Sequence, residues 1–265
     1  MLNLDNKNLE PPKHLSPSSL ATFEQCPLKF KFNKIDLIPD ASGKEALMGN
    51  FVHDVLEIFY TLPSDERVLQ NAKIIAADCW ANKGWGEKIT QLLRSSAEIK
   101  KIRWQAWFCI ENLWLVEDPK LINPVGIEHE LNSSLDGVVL KGFIDRYSKD
   151  QNDGLIISDY KTGKTPNKLW LSDKFEQLRI YAALMNVTQL FKASTLELIY
   201  LKDGVKFTEL VTDKSIDSAI FRIKKIKTEI DNRCVSGVFE PKKSKLCDYC
   251  SYKSICPIWS KKREL

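Results

Sequence analysis

The sequence lacks any long apolar run. A helix that crosses a membrane needs roughly 20 consecutive apolar residues, and no segment of this 265-residue chain approaches that length. The first residues are polar, without the apolar stretch that secretory leaders carry. We therefore expect no membrane span and a location in the cytoplasm.

A complete phosphate-binding loop is also missing. Gly163-Lys164-Thr165 matches only the end of the P-loop motif, which requires a glycine five positions before Gly163, where this chain has Ser158. This argues against a nucleotide-driven motor. We expect the chain to act alone or with separate partners, such as a helicase or a repair protein.

The excess of positive charge is small and concentrated at one end. The chain carries 39 Lys/Arg and 35 Asp/Glu, a formal net charge of +4. Residues 239–265 hold seven basic and three acidic side chains, so their excess of four equals that of the whole chain. A basic run is often only a solvated surface, but it also suits phosphate contacts. Lys242, Lys243 and Lys245 are the candidate contacts.

Cysteine is plentiful and clustered. Three of the seven cysteines form Cys247-x-x-Cys250-x5-Cys256, a spacing typical of metal ligands rather than of disulfides. The odd number and the clustering indicate a reducing compartment. A metal requires a fourth ligand, and the residues alone leave Cys234 and Cys26 as alternatives. Zinc is the commonest structural occupant of such thiolate sites.

An acid and a lysine follow the apolar run Leu155-Ile156-Ile157, which predicts a buried strand after Asp153-Gly154. Side chains alternate along a strand, so Asp159 and Lys161 share one face while Tyr160 points to the other. A carboxylate that holds a divalent cation beside an ammonium that orients a water suits phosphodiester hydrolysis. The alternative is a salt bridge at a sheet edge.

A second acid is predicted to lie nearby. Asp136-Gly137 has the composition of a hairpin turn, and residues 138–143 read as a strand that ends at Asp145. Two strand ends would bring Asp145 and Asp159 together. Oxygen ligands from separate strands suit Mg²⁺ or Mn²⁺.

The remaining pattern predicts helices around mixed strands, an α/β fold. Ser16 or Ser18 is expected to cap a first helix that carries Cys26. A helix over 44–60 places His53 beside an apolar face. The other predicted elements are helices within 65–118, a strand over 125–131 with Glu128, a helix over 173–185 that pairs Gln177 with Tyr181, a hairpin over 195–211, and a helix over 215–233.

The predicted helices of 65–118 carry five of the seven tryptophans. Exposed tryptophans stack on the bases of single-stranded nucleic acid, but aromatics at helical spacing more often belong to the core, and we expect core here. Cys79 and Cys109 lie in the same apolar stretches and are predicted to be buried free thiols.

Together these motifs resemble the PD-(D/E)XK nucleases of the RecB-like exonuclease branch, which includes AddB-type and CRISPR-adaptation nuclease modules. The matching segments run from the N-terminal Leu15–Leu20 to the C-terminal cysteines. They are Cys26-Pro27, Gly49-x-x-x-His53-x-x-Leu56-Glu57, Glu128, Gly142-x-x-Asp145-Arg146, Asp159-x-Lys161 and Gln177-x-x-x-Tyr181.

The resemblance implies a metal-dependent DNA exonuclease, preferring single strands, in repair, recombination or related DNA processing. It implies that Lys161 positions the attacking water and stabilises the developing negative charge, that Gln177 and Tyr181 contact or align the scissile strand, and that Glu128 supports the ligands. Glu130 shares the strand face of Glu128 and remains an alternative to it. The implied ligands of Mg²⁺ or Mn²⁺ are His53, Asp145, Asp159 and the Tyr160 carbonyl.

The resemblance also selects Cys26 as the fourth thiolate. Cys26, Cys247, Cys250 and Cys256 would hold a [4Fe–4S] cluster, with zinc as the alternative occupant. The implied fold is a restriction-endonuclease-like mixed sheet flanked by helices, with a helical insertion and a cluster-stapled C-terminus. The expected organisation is a disordered 1–14, N-terminal helices over 15–60, a helical lobe over 61–120, the nuclease core over 121–233 and a basic cluster segment over 234–265.

Two other functions remain open. The first is a subunit that binds nucleic acid or supports assembly, and that keeps the nuclease fold and the metal cluster but does not cleave. The presence of Asp145, Asp159 and Lys161 argues against this. A hydrolase that uses the same acid and lysine on another substrate is excluded only by the resemblance.

Overall fold

The computed structural model describes residues 8–40, 43–150, 154–188 and 192–260. They form two compact units. The first unit comprises the described parts of 1–41, 132–142 and 217–265, and the second those of 42–131 and 143–216. Residues 1–7 of the predicted disordered segment, Asp153 of the predicted strand boundary and residues 261–265 of the basic segment lie outside the described residues.

The sheet has five strands in sequential order and mixed direction. They are β1 (Asn123–Leu135), β2 (Val138–Lys149), β3 (Leu155–Lys161), β4 (Ala193–Tyr200) and β5 (Val205–Leu210). Strand β3 pairs antiparallel with β2 and parallel with β4, and β4 pairs antiparallel with β5. The alternative interpretation, an edge salt bridge, is wrong in its position, because β3 is the central strand and Asp159 is 3% exposed. The salt bridge itself is present, with Lys161 Nζ 2.6 Å from Asp159 Oδ2.

The predicted turn at Asp136-Gly137 is confirmed. Both residues have left-handed backbones, with φ of 48° and 82°, which suits a tight hairpin connection. The predicted end of the next strand is wrong, because β2 continues to Lys149 and Asp145 lies inside it. Arg146 pairs with Ser158 of β3 in the sheet register, and its buried charge is neutralised by Glu117, so this arginine does not end the strand.

Helices occupy the remaining predicted regions. They are α1 (Pro17–Gln25), α2 (Pro27–Phe30), α3 (Lys44–Thr61), α4 (Leu69–Ala81), α5 (Trp85–Leu92), α6 (Ser96–Glu111), α7 (Leu113–Val116), α8 (Leu171–Lys174), α9 (Glu176–Val187), α10 (Asp213–Ser236) and α11 (Pro257–Ser260). The single helix predicted over 173–185 is instead interrupted at Phe175, between α8 and α9. Across the described stretches, no helix combines the length and apolar character that a membrane crossing requires.

Cys26 lies between two helices rather than on one. Ser16 caps α1 as predicted, since its side chain accepts a hydrogen bond from the Ser19 N–H. Cys26 then adopts an extended backbone with φ of −163°. The residue before a proline is disfavoured in the helical region, so Pro27 explains why the prediction of a helical Cys26 is wrong.

A hydrophobic core within the second unit joins α3 to α6 and the sheet. Trp85 is buried, and Trp80, Trp107 and Trp114 pack against this core as predicted. Trp104 is 63% exposed, so the core prediction is wrong for this one residue. Cys79 and Cys109 are buried, with no disulfide, as predicted.

Candidate active site

Gly49 allows helix α3 to approach the end of β3 closely. A β-carbon at position 49 would lie 3.2 Å from the Thr162 side-chain oxygen, which is tighter than ordinary van der Waals contact. Four residues later, His53 projects from the same helix, and its Nε2 lies 3.0 Å from the Tyr160 carbonyl oxygen. The Gly49-x-x-x-His53 spacing therefore brings an imidazole to the acids of the sheet.

His53, Glu128 and Asp145 form a group with the composition of a metal site. His53 Nδ1 lies 3.5 Å from Asp145 Oδ1 and 3.8 Å from Glu128 Oε1. One ligand atom from each of the three residues lies within 4.8 Å of the others. Two carboxylates and an imidazole fit a divalent cation such as Mn²⁺ or Mg²⁺.

Glu128 reaches this group from an irregular point in β1. Its φ of 44° is left-handed, a conformation that costs free energy for a residue with a β-carbon and often occurs at functional sites. Glu130 is exposed and is not a member of the three-residue group. The geometry thus brings the Glu128 carboxylate into the same group as His53 and Asp145.

Hydrogen bonds and charge orient the group. The Tyr160 N–H donates to Asp145 Oδ2 over 2.7 Å, which leaves Oδ1 directed at His53. Burial opposes the charged form of His53, but the bonds to Asp145 and Glu128 outweigh it and raise the pKa of His53 to about 10. The carboxylates therefore concentrate negative charge where a cation would bind.

Asp159 and Lys161 lie together on one face of β3, as the alternation predicts. Lys161 Nζ is 2.6 Å from Asp159 Oδ2. Burial raises the pKa of Asp159, against the opposing effect of Lys161. Burial also opposes the charge of Lys161, but Asp159 outweighs it and raises the pKa of Lys161. The lysine thus remains protonated, as a charge stabiliser requires.

Gln177 and Tyr181 are neighbours on α9, as predicted. The Gln177 side-chain amide donates to the Tyr181 hydroxyl over 3.2 Å. Burial raises the pKa of Tyr181 to about 12, and the charges of Asp159 and Asp145 act in the same direction. The tyrosine hydroxyl thus lies within electrostatic range of both acids and stays protonated.

A buried ionic network behind these residues has no counterpart in the sequence predictions. Arg146 is 1% exposed, and its guanidinium donates two hydrogen bonds to Glu117, of 2.6 and 2.9 Å. The guanidinium also lies over the rings of Tyr60 and Tyr160, at 4.6 and 5.5 Å from their centres. The signal that could have revealed the network is the arginine that follows the predicted strand of 138–143, because an arginine that becomes buried requires an ionic partner.

The four cysteines of the predicted cluster line one cavity in the first unit. The cavity has a volume of about 210 Å³. Two of its sulfurs accept backbone hydrogen bonds, Cys26 from the Lys242 N–H at 3.4 Å and Cys247 from the Ser244 N–H at 3.3 Å. Cys234 is buried and does not line this cavity. Four cysteine side chains around one cavity have the donor composition of a thiolate-bound metal group.

Comparisons with known proteins place these observations in a family. The family profile described as "PD-(D/E)XK nuclease superfamily" matches residues 14–257. No curated protein is detectably similar in sequence. Among solved structures, an Eubacterium rectale protein described as a "Putative exonuclease" is 15% identical, with 91% of this chain and 88% of that chain covered and a TM-score of 0.49. The protein SSO0001 is 14% identical over 94% of this chain and 88% of that chain, with a TM-score of 0.41.

Proposed function

Because the chain belongs to the PD-(D/E)XK nuclease superfamily, we propose that it is a metal-dependent DNA exonuclease of the RecB-like branch that prefers single strands. One observation carries the proposal. The group of His53, Glu128 and Asp145 occurs together with the ion pair of Asp159 and Lys161 on β3, in which the acid is buried and the lysine is half-buried. Repair, recombination or related DNA processing is the proposed setting.

We assign metal binding to Asp145, Asp159 and His53. We add Glu128 as a ligand, because its carboxylate lies in the same group as His53 and Asp145. The Tyr160 carbonyl, which accepts from His53, is a further candidate. When bound, Mg²⁺ or Mn²⁺ supplies Lewis-acid stabilisation of negative charge on the phosphate. The residues fit such an ion because their donors are hard carboxylate oxygens and one imidazole.

We assign to Lys161 the stabilisation of the negative charge that develops on the phosphate during the reaction. Its ammonium is held at 2.6 Å from Asp159, and its raised pKa keeps it protonated. A preorganised cation of this kind stabilises charge as it develops and is worth on the order of 10²-fold in rate. Gln177 and Tyr181, joined by their own hydrogen bond, would donate to and align the scissile strand.

We also propose that Cys26, Cys247, Cys250 and Cys256 hold a [4Fe–4S] cluster, with zinc as the alternative. The shared cavity supports this ligand set. Direct contacts already join the same two ends of the chain: the Tyr252 hydroxyl donates to the Ile38 carbonyl over 2.8 Å, and Asn33 donates to that hydroxyl over 3.2 Å. The cluster would strengthen this connection.

The test uses end-labelled single- and double-stranded DNA with Mn²⁺, Mg²⁺ or EDTA. We expect Mn²⁺- or Mg²⁺-dependent release of nucleotides from the ends, faster on single strands. Asp159→Ala and Lys161→Ala should each lower the rate by roughly 10²-fold or more, with unchanged circular dichroism. Near-normal digestion by both variants would refute the site, and DNA binding without cleavage by the natural protein would support the non-cleaving alternative.

A further inference from the structure

A groove of about 610 Å³ lies beside the candidate active site, entirely within the second unit. Its walls come from the start of α3, the outer face of α6, the loop after β3 and the β4–β5 turn. Its volume lies within the usual range of ligand-binding clefts. The groove residues Thr162 and Gly163 directly follow Lys161 in the chain, so the groove begins where β3 ends.

Two aromatic side chains on α6 face this groove without a core role. Trp104 is 63% exposed and Phe108 is 39% exposed. Their rings are stacked, with centres 5.4 Å apart and planes 13° from parallel. The two residues are one helical turn apart, and the exposed ring surface they share is a ready platform for a flat, apolar ligand group.

Lysines line the same groove as the aromatic pair. Lys101, Lys164 and Lys202 are exposed and line the groove from three different elements. Of the three groove acids, Glu45 is exposed, and Glu98 lies 4.0 Å from Lys44. Asp203 accepts a hydrogen bond of 2.6 Å from the Thr165 N–H and interacts electrostatically with Lys164 and Lys202. The groove thus holds four lysines, which include Lys44, against three acids, and the exposed ammonium groups supply the positive charge that attracts a phosphate backbone.

We propose that this groove binds a single-stranded nucleic acid, with a base stacked on Trp104 and Phe108 and phosphates near Lys101, Lys164 and Lys202. An aromatic platform within a basic groove is the recognition mode of unpaired strands. In a duplex the faces of each base are covered by neighbouring base pairs, so the platform selects single strands. This proposal rests on the proposed nuclease function and gives it a structural basis for strand preference.

The position of the groove relates binding to cleavage. Met48 and Gly49 are adjacent on α3, so the helix that lines the groove also carries His53. A strand that stacks on Trp104 would continue past Thr162 towards Lys161. The platform would thus retain the unpaired strand while its end is cut.

Binding is tested with a fluorescein-labelled oligothymidylate and with a blunt duplex, both in EDTA so that no cleavage occurs. Trp104→Ala and Phe108→Ala should each weaken oligothymidylate binding, because loss of one stacked base corresponds to roughly 5- to 150-fold in affinity. Duplex affinity should change little, and Trp104→Phe should restore most of the single-strand affinity. Phe221→Ala, a change to a 71% exposed aromatic on α10, is the matched control and should bind normally.

The lysines are tested by salt dependence. Lys101→Ala, Lys164→Ala and Lys202→Ala combined should reduce the log–log slope for oligothymidylate by about 2, since each phosphate contact on a single strand contributes about 0.7. Replacement of three exposed lysines elsewhere, Lys73, Lys120 and Lys214, should leave the slope unchanged. Equal slopes for the two triple variants would remove the lysines from the proposal.

Hydrolysis of bis(4-nitrophenyl) phosphate separates this proposal from the nuclease assignment. This small diester has no strand to occupy the groove, so Trp104→Ala should hydrolyse it at the natural rate. The proposed strand-binding role of the groove would be refuted if Trp104→Ala and Phe108→Ala bound oligothymidylate with natural affinity, or if they lost as much or more affinity for the duplex. Either result would leave the proposed nuclease function unaffected. Groove-dependent binding without hydrolysis of either substrate would instead retain the groove and refute the nuclease.

Discussion

The backbone N–H of Tyr160 donates a hydrogen bond of 2.7 Å to Oδ2 of Asp145. This bond joins the middle of β2 to the end of β3 and sets the direction of the Asp145 carboxylate. The other carboxylate oxygen is 3.5 Å from His53 Nδ1. One backbone amide therefore determines which oxygen of Asp145 faces the candidate ligand group.

Asp145→Asn tests this arrangement with almost no change in volume. The amide loses one negative charge and can no longer present two acceptor oxygens, so we expect Mn²⁺ affinity to fall and DNA cleavage to drop by roughly 10²-fold or more. Isothermal calorimetry with Mn²⁺ and the nuclease assay measure the two effects. Asp150→Asn is the matched control on the β2–β3 connection, and equal behaviour of the two variants would contradict the ligand role of Asp145.

Arg146→Met should destabilise the protein strongly. The change leaves Glu117 buried without its cation, and breaking a buried pair in this way costs about 3–5 kcal/mol. Urea denaturation measures the loss, and adding Glu117→Leu should recover part of it, because the uncompensated charge is then removed.

The exposed pair of Lys224 and Asp136 provides the control for Arg146. Its side chains are 55% and 53% exposed, at a separation of 3.0 Å. Solvent screens such pairs, so Lys224→Met should cost about 1 kcal/mol or less. A similar cost for Arg146→Met would show that the buried network contributes no more than a surface ion pair.

Cys26→Ala should remove the proposed cluster. Protein purified without oxygen is expected to be brown, with broad absorption at roughly 400 nm from iron–thiolate charge transfer. Cys26→Ala should lose both the colour and thermal stability. Cys234→Ala is the matched control and should keep the colour. A coloured and stable Cys26→Ala protein would exclude Cys26 as a ligand, and a colourless natural protein with stoichiometric zinc would replace iron by zinc.

Cys109 should resist alkylation in the folded protein. Burial raises its pKa to about 11, and only the thiolate reacts. At pH 8, iodoacetamide should therefore modify Cys109 only after unfolding, as mass spectrometry of peptides would reveal. The half-exposed Cys256 in metal-free protein provides the comparison. If iodoacetamide modified Cys109 in the folded protein as fast as it modifies Cys256, the burial of Cys109 would be contradicted.

The same shift has a consequence for stability. Folded Cys109 keeps its proton up to a pKa of about 11, against 9.0 for the ordinary thiol. The unfolded chain therefore loses this proton at lower pH than the folded protein does. The contribution of Cys109 to stability is complete below about pH 9 and is lost as the pH rises towards 11, so the urea midpoint should fall across that interval.

The local pattern of the sequence was enough for much of the fold and the candidate site. Alternation along β3 put Asp159 and Lys161 on one face, and the turn residues at 136–137 located the β1–β2 hairpin. The interval of four residues paired Gln177 with Tyr181 on a helix. These inferences succeeded because the physical cause, a strand or helix period or a turn conformation, acts within a few residues.

Tertiary structure decided what depends on partners distant in the chain. Strand β2 runs past Asp145 because Glu117, far away in sequence, neutralises Arg146 and lets it be buried. Glu128 reaches His53 and Asp145 because its backbone is left-handed, a conformation that the pattern of residue types in β1 does not predict. Trp104 is exposed although its helix period resembles that of the core tryptophans, because burial on α6 depends on which face α3 and the sheet already cover. Charge pairing, strain and burial of this kind arise only when separate segments meet, and local sequence does not contain them.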